Sequence, residues 1–363
     1  MPFSPKYSIT AKIASSLMSI EANRQIVDNL PITPSVLQSL RETAKLASTH
    51  YSTAIEGNRL TQEEVNKIIV NKISFPGRER DKKEVLAYHV ALEKLEDYLN
   101  SESRLDENVI QSLHGLVMAG GRKRAKPTPY RDGQNVIRDS GTNRIIYLPP
   151  EAKDVPVLMF ELINWINLSV KKGVPVPVVA GIAHYQFATI HPYYDGNGRT
   201  ARLITTLLLH TEGYGLKGIY SLEEYYAQNL AAYYKALTVG PSHNYYEGRA
   251  KASITKWLEY FCDGVSKSFE SVKDQAFKAS GRGEKDTSKI LRKLNPRQRK
   301  SLPLFKKSNY VTSKEVSSLF NISERGARNI LSSWVREGFI QIVDPSKKAR
   351  SYSLSDEFLD LLN

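Results

Sequence analysis

The sequence predicts a mainly α-helical protein with one short β-hairpin inside it and a small winged helix-turn-helix domain at its C-terminal end. Three observations carry this expectation. Apolar residues recur at helical spacing through most of residues 35–277. The pattern lapses between Pro127 and Pro150, where β-prone runs flank a cluster of turn residues. The composition changes again near residue 280, where a basic stretch carries two short helical patterns followed by two short strand patterns.

Helical periodicity with good helix formers covers Ser35–Leu46, Thr61–Val70, Lys83–Leu99, Asn108–Met118, Asp154–Ser169 and Pro177–Ile190. Val136–Ile137 and Arg144–Tyr147 are β-prone, and Asp139–Asn143 (DSGTN) between them supplies the turn of a hairpin. Helical pattern resumes through Thr200–Leu209, Leu222–Leu237 and Ala250–Phe277. Ala279–Thr287 (ASGRGEKDT) breaks it with two glycines and mixed charge, as a linker does. Beyond it come a helix over Thr312–Phe320, a turn at Asn321–Ser323 and a helix over Glu324–Glu337 stopped by Gly338. Strands over Ile340–Val343 and Ser351–Leu354 then flank the basic turn Asp344–Arg350. The expected organisation is a helical region over residues 1–100, a core over 101–278, a linker over 279–287 and a winged-helix domain over 288–363.

The 363 residues are 41% hydrophobic and 25% charged, an ordinary globular composition. Net charge is +13, and residues 281–363 contribute +8 of it, with 17 Lys and Arg against 9 Asp and Glu. Such a balance favours an anionic partner such as ATP or nucleic acid. The sole cysteine, Cys262, excludes an internal disulfide framework and fits a reducing compartment. The N-terminal residues lack the apolar segment of a secretory signal, and no apolar run is long enough to span a bilayer. These features predict a cytoplasmic protein without a membrane partner.

The chemistry concentrates in His191–Arg202, HPYYDGNGRTAR, between one helical pattern and the next. A glycine-rich loop feeding a helix start offers free backbone N–H groups and a positive dipole end to an anion. Gly196 and Gly198 let the backbone approach a phosphate, and Asn197 offers a side-chain donor in the same concavity. Arg199 and Arg202, three residues apart, suit a polyphosphate. Asp195 is a hard oxygen ligand placed to hold Mg²⁺ beside those phosphates. His191 is the one group of the segment whose ordinary pKa lets it take a proton near neutral pH.

This segment resembles the Fic family signature, His-Pro-Phe-x-Asp/Glu-Gly-Asn-Gly-Arg-x-x-Arg. Eight positions agree, namely His191, Pro192, Asp195, Gly196, Asn197, Gly198, Arg199 and Arg202, and Tyr193 stands where the family has Phe. The resemblance implies a Fic-type helical core. It implies that His191 deprotonates a Ser, Thr or Tyr hydroxyl of a target protein, which then takes AMP from ATP with Mg²⁺ bound. It also implies that the hairpin, with Val136 and Ile137, is a flap holding target peptide by strand addition, and that Tyr233 and Tyr234 lie on the adenine side. STAIEGN, Ser52–Asn58, resembles the family's inhibitory motif, in the subclass with an N-terminal inhibitory helix. By that resemblance Glu56 pairs with Arg202, Ser52 fixes the motif to the active-site loop, and the small Gly57 lets the helix pack close to it.

Other readings stay open on sequence alone. Alternatively, His191 is a buried structural histidine, Asp195 a turn residue, Glu56 a solvated helix charge, Tyr233–Tyr234 core packing and the hairpin a plain surface hairpin. His50, His184 and His210 read as core or surface residues. The basic C-terminal domain reads as a DNA binder, with Arg325 and Arg328 toward bases and Lys347, Lys348 and Arg350 toward phosphates, or as a protein-docking or dimerising module. The rival functions are a DNA-binding regulator whose Fic domain senses nucleotide, and removal of AMP by the same site. Phosphate transfer is disfavoured, because the branch of the family that does it carries Lys where Gly198 stands.

Overall fold

The computed structural model describes residues 2–99, 105–139, 141–281, 293–308, 310–344, 346 and 350–361. Contacts divide the chain into two units, Met1–Leu30 with Ser35–Ala276 and Pro31–Pro34 with Phe277–Asn363. No described helix is long and apolar enough to cross a membrane.

In chain order the helices of the first unit are α1 (Ala11–Asn29), α2 (Pro34–Ile55), α3 (Gln62–Asn71), α4 (Glu79–Leu99), α5 (Glu107–Met118), α6 (Val155–Lys171), α7 (Val176–Ile190), α8 (Asn197–Leu209), α9 (Leu222–Gln228), α10 (Leu230–Leu237) and α11 (Thr255–Gly281). The centre is α7. Its sequence, VPVVAGIAHYQFATI, is apolar on every side, and 13 of its 15 residues are buried. Gly181 lets α11 approach: a Cβ there would lie 2.8 Å from the Phe261 ring, and Trp257 Nε1 donates to the Gly181 carbonyl at 2.7 Å. Helix α8 packs along α7, with α4 and α5 on its other flanks, so its first turn sits where several elements meet.

The hairpin pairs β1 (Ile137–Arg138) with β2 (Ile145–Tyr147) in antiparallel register, Ile137 opposite Tyr147. Its turn is held by Asp139 Oδ1, which accepts from the Gly141 and Thr142 amides.

The second unit contains α12 (Pro296–Lys307), β3 (Val311–Thr312), α13 (Ser313–Phe320), α14 (Glu324–Arg336), β4 (Ile340–Asp344) and β5 (Ser351–Leu354), with the strands antiparallel in the order β3-β5-β4. Ser323 caps α14 through Oγ, which accepts from the Gly326 amide at 3.2 Å. Val316, Leu331, Trp334, Phe339, Tyr352 and Leu354 form its core.

Some elements depart from the sequence expectation. The buried face of α1 interleaves Ser16 and Asn23 with Ile13, Ile20 and Val27, and these polar residues hide its period. Helix α2 runs nine residues past Leu46 on a buried face of Ala, Ser and Thr, which is small rather than strongly apolar. The single helix expected over Leu222–Leu237 is broken at Asn229, whose side chain caps α10 through the Ala232 amide at 3.0 Å. Helix α11 continues to Gly281, past the expected start of the linker at Ala279, and residues 282–287 of that linker lie outside the described residues. So do Lys347 and Lys348 of the basic turn.

Candidate active site

The loop His191–Gly196 is shaped by what surrounds it. Pro192 disfavours a right-handed helical conformation for His191, which ends α7 with φ of 53°. Arg131, buried at the base of the hairpin, donates from Nε to the His191 carbonyl at 3.0 Å and from its backbone amide to Pro192 O at 2.9 Å. Its other guanidinium nitrogens reach the carbonyls of Gly133 and Pro150 at the two feet of the hairpin. Asn135 Nδ2 donates to Tyr193 O at 3.1 Å, and Tyr147 Oη donates to Thr189 O at 2.6 Å. One buried guanidinium therefore joins hairpin and loop into a single body.

Tyr193 anchors the loop, buried and stacked on His114 with centroids 3.5 Å apart. Its hydroxyl has no hydrogen-bond partner among the described residues. His114 Nε2 lies 2.9 Å from the Asp195 carbonyl. Gly196 is required twice over: its φ is 76°, and a Cβ would lie 3.0 Å from Met118 Sδ and 3.2 Å from His114 Nε2. Asn197 corrects the sequence reading of a phosphate donor. Its Nδ2 donates to Tyr193 O at 2.7 Å and its Oδ1 accepts from Tyr193 N at 3.0 Å, so the buried amide shapes the loop.

His191 Nδ1 lies 3.3 Å from the Ala188 carbonyl, which only accepts, so the proton sits on Nδ1 and the lone pair on Nε2. Burial pulls its pKa down to about 4, and the ring is neutral at physiological pH. Asp195 is exposed; its Oδ1 accepts from the Gly196 amide at 2.6 Å and from Arg199 Nη2 at 3.2 Å. The carboxylate is largely exposed, a donor that suits a Mg²⁺ held by one carboxylate plus substrate oxygens. Arg199 itself is buried beneath the loop.

Arg202 is almost wholly buried and already engaged. Its Nη2 donates to Glu56 Oε1 at 2.8 Å and to the Ser52 carbonyl at 2.9 Å, while Nε donates to Ser52 Oγ at 2.8 Å. Burial opposes its charge and the Glu56 carboxylate overrides that opposition, holding the guanidinium above its ordinary range. The same carboxylate lies against the first turn of α8: a Cβ on Gly198 would be 2.2 Å from Glu56 Oε1. Glu56 thus lies over the first turn of α8 while paired with Arg202.

The role assigned to Gly57 is corrected. Nothing lies within 4 Å of a Cβ built there, so close packing does not require glycine; its φ of 90° does, at the turn that ends α2. The tyrosine pair separates as well. Tyr233 is fully enclosed, its Oη 2.9 Å from His184 Nε2 and its ring stacked on Tyr226, which leaves no face for a nucleotide base. Tyr234 is half-exposed and donates to the Ile55 carbonyl at 3.1 Å, next to Glu56. His184, between Thr205 and Tyr233, is a core residue. Val136 and Ile137 are half-buried, and the hairpin presents Ile145 and Ile146 outward.

Sequence reasoning did not single out Arg131 or His114. Arg131 stands in YRDG before a turn, where an arginine reads as solvated, and His114 reads as one more residue of an amphipathic helix. A polar residue inside an otherwise apolar stripe, as His114 is in VIQSLHGLVM, was the available signal.

Residues 104–209 match the Fic/DOC family model. Among known proteins it is similar to a Drosophila willistoni protein named protein adenylyltransferase Fic, 27% identical over 202 residues, covering 54% of this chain and 38% of that protein. The chain thus spans well under half the length of that curated relative. A Fic family protein from Desulfovibrio desulfuricans shares the fold across 98% of this chain and 99% of its own, with a TM-score of 0.60 at 22% identity. A Fic domain containing signaling protein from Bacteroides thetaiotaomicron does so across 73% of this chain and 97% of its own, with a TM-score of 0.61 at 24% identity.

Proposed function

We propose that this chain, through its Fic-family domain, is a protein adenylyltransferase that moves AMP from ATP onto a Ser, Thr or Tyr hydroxyl of a target protein. The observation that carries the reading is a neutral His191, its Nε2 lone pair uncommitted, beside a glycine-walled helix start built for an anion. Nε2 takes the hydroxyl proton as the oxygen bonds to the α-phosphorus, and the bond from that phosphorus to the bridging oxygen breaks, releasing pyrophosphate. The backbone of the loop and the first turn of α8 orient the phosphates, and Asp195 is the residue that would hold Mg²⁺, whose charge would offset that of the phosphates. The hairpin, tied to the loop through Arg131, is read as the flap that aligns a target strand.

Glu56 is read as an internal inhibitor. Its carboxylate holds the anion position and the Arg202 fork that a nucleotide phosphate would otherwise use. The test of the enzymatic reading is transfer of label from α-labelled ATP to a cell lysate, with the Glu56→Gly protein to relieve restraint. Label on discrete proteins, or on the chain itself, is expected, and His191→Ala should abolish it while keeping ATP binding. Transfer by that variant at an undiminished rate would overturn the role of His191.

The second unit is read as a winged helix that binds DNA. Arg325 and Arg328 are exposed on the first turns of the capped helix α14, behind the turn that follows α13. On this reading DNA binding accompanies AMP transfer, and removal of AMP and pairing into a homodimer are questions for the purified protein.

A further inference from the structure

Residues of α2, α4 and α8, with the segment 210–220 that follows α8, line a cleft apart from the Glu56–Arg202 pair. On α2, Arg41, Lys45 and Ser48 continue the stripe that bears Ser52, and Thr206 on α8 and His210 just after it continue the stripe that bears Arg202. These residues line a cleft of about 540 Å³, within the range of small-molecule sites. No residue of the loop 191–199 lines it, so it is a separate cavity.

Its chemistry is that of a site for an amphipathic anion. Lys45 is answered by Glu96 at 2.6 Å. Arg41 and Lys217 have no carboxylate partner among the described residues: Arg41 Nε donates to the Lys217 carbonyl at 2.5 Å, and Lys217 Nζ to the Leu30 carbonyl at 3.1 Å. Neither ring nitrogen of His210 has a hydrogen-bond partner among the described residues, although the ring is packed against Tyr220. Lys217 is held in place by backbone that L-residues rarely adopt, with Leu216 at φ 43° and Lys217 at φ 54°. The same cleft is lined by the apolar side chains of Leu92, Leu95, Leu207 and Tyr220, all buried. Two cations and an uncommitted imidazole in one cleft with apolar side chains match a ligand with a phosphate at one end and a ring or short alkyl body at the other.

We infer that this cleft is a binding site for a small organic phosphate, distinct from the ATP site, with Arg41, Lys217 and His210 holding the phosphate and the leucines and Tyr220 packing its apolar part. The adjacent burial keeps His210 neutral in the free protein, with its pKa near 4, so it enters as an N–H donor and its ring signals will report the arrival of an anion.

The test uses the full chain and the ring-proton NMR signals of its histidines, with the His210 signal assigned by its loss in His210→Gln. Phenyl phosphate should move the His210 signal saturably. Inorganic phosphate, lacking the apolar body, should do so more weakly, and benzyl alcohol, lacking the charge, should not do so at all. Arg41→Gln and Lys217→Met should each weaken phenyl phosphate about tenfold. Their thermal transitions and their His191 signals should match the parent protein, which separates loss of the site from loss of the fold. A His210 signal unmoved by phenyl phosphate overturns the inference. So does an equal response to benzyl alcohol, or parental affinity in both charge variants.

Discussion

Replacing Glu56 by Gly removes one of three hydrogen bonds that hold Arg202, the one with a charged acceptor. A hydrogen bond to a charged group contributes about 1.5–3 kcal/mol net. The Glu56 side chain is 32% exposed, so solvent screens its end of the pair and the lower part of that range applies, about 1.5–2 kcal/mol. At about 1.4 kcal/mol per factor of ten, productive ATP binding should improve roughly ten- to thirtyfold. The Ser52 hydroxyl and carbonyl still fix the guanidinium, so Arg202 stays positioned and its freed nitrogen turns to phosphate. The gain should therefore appear in KM for ATP, measured as initial rates of label transfer at subsaturating ATP. Arg202→Ala should be slow alone and should erase the gain when combined with Glu56→Gly, a coupling read from a double-mutant cycle. The same substitution leaves a buried guanidinium without its carboxylate, so the denaturation midpoint should fall and ATP should restore part of the loss. An unchanged rate for Glu56→Gly, or a gain that survives in the double variant, would refute the inhibitory reading.

The pH dependence should follow His191: the base works in its neutral form, so kcat/KM should hold level as pH falls through 6.5 and drop only below about pH 5, seen as the acid limb of the pH–rate profile. Stability should show the linked effect. His114, His184, His191 and His210 all have pKa values lowered by burial, to about 4, 3, 4 and 4, so the unfolded chain binds more protons between those values and the ordinary 6.5. Stability is then complete above about pH 6.5 and declines as pH falls toward 4, by at most about 1.4 kcal/mol per pH unit for each histidine, measured as urea midpoints at a series of pH values. Tyr193→Phe should leave activity intact and raise stability by up to about 1 kcal/mol, since it deletes a buried hydroxyl without a partner; clear destabilisation would mean that the hydroxyl is satisfied. Binding of the full chain to duplex DNA should weaken steeply with salt, and Arg325→Ala with Arg328→Ala should weaken it further; no affinity at low salt would favour protein docking instead.

How much was legible in the sequence depended on the range of the interactions involved. Helix α7 and the loop after it could be read because their signals are local: an apolar run, a Pro after His191, two glycines around Asn197. The hairpin could be read because Asp139–Asn143 carries its own turn chemistry. Helices α1 and α12 could not. The first buries Ser16 and Asn23 on its inner face, and the second, PRQRKSLPLFKK, is mostly polar with Pro303 inside it. The break at Asn229 was hidden because no glycine or proline marks it; an Asn cap inside an apolar pattern reads as one more helical residue.

Long-range pairings explain the remaining differences, and they bear on function. Arg202 reads in the sequence as a phosphate ligand, because Arg199 and Arg202 follow a glycine-rich loop. Its partner stands 146 residues earlier, and no local pattern says whether the guanidinium is open or engaged. The same holds for Arg131, whose bonds to His191 O and Pro150 O span 60 and 19 residues and make the hairpin and loop one body. Sequence thus names the groups able to handle an anion, while the fold decides what occupies them. Here a carboxylate of the chain itself lies over the first turn of α8, on the residue that follows α2, whose residues Arg41–Ser48 line a separate cationic cleft.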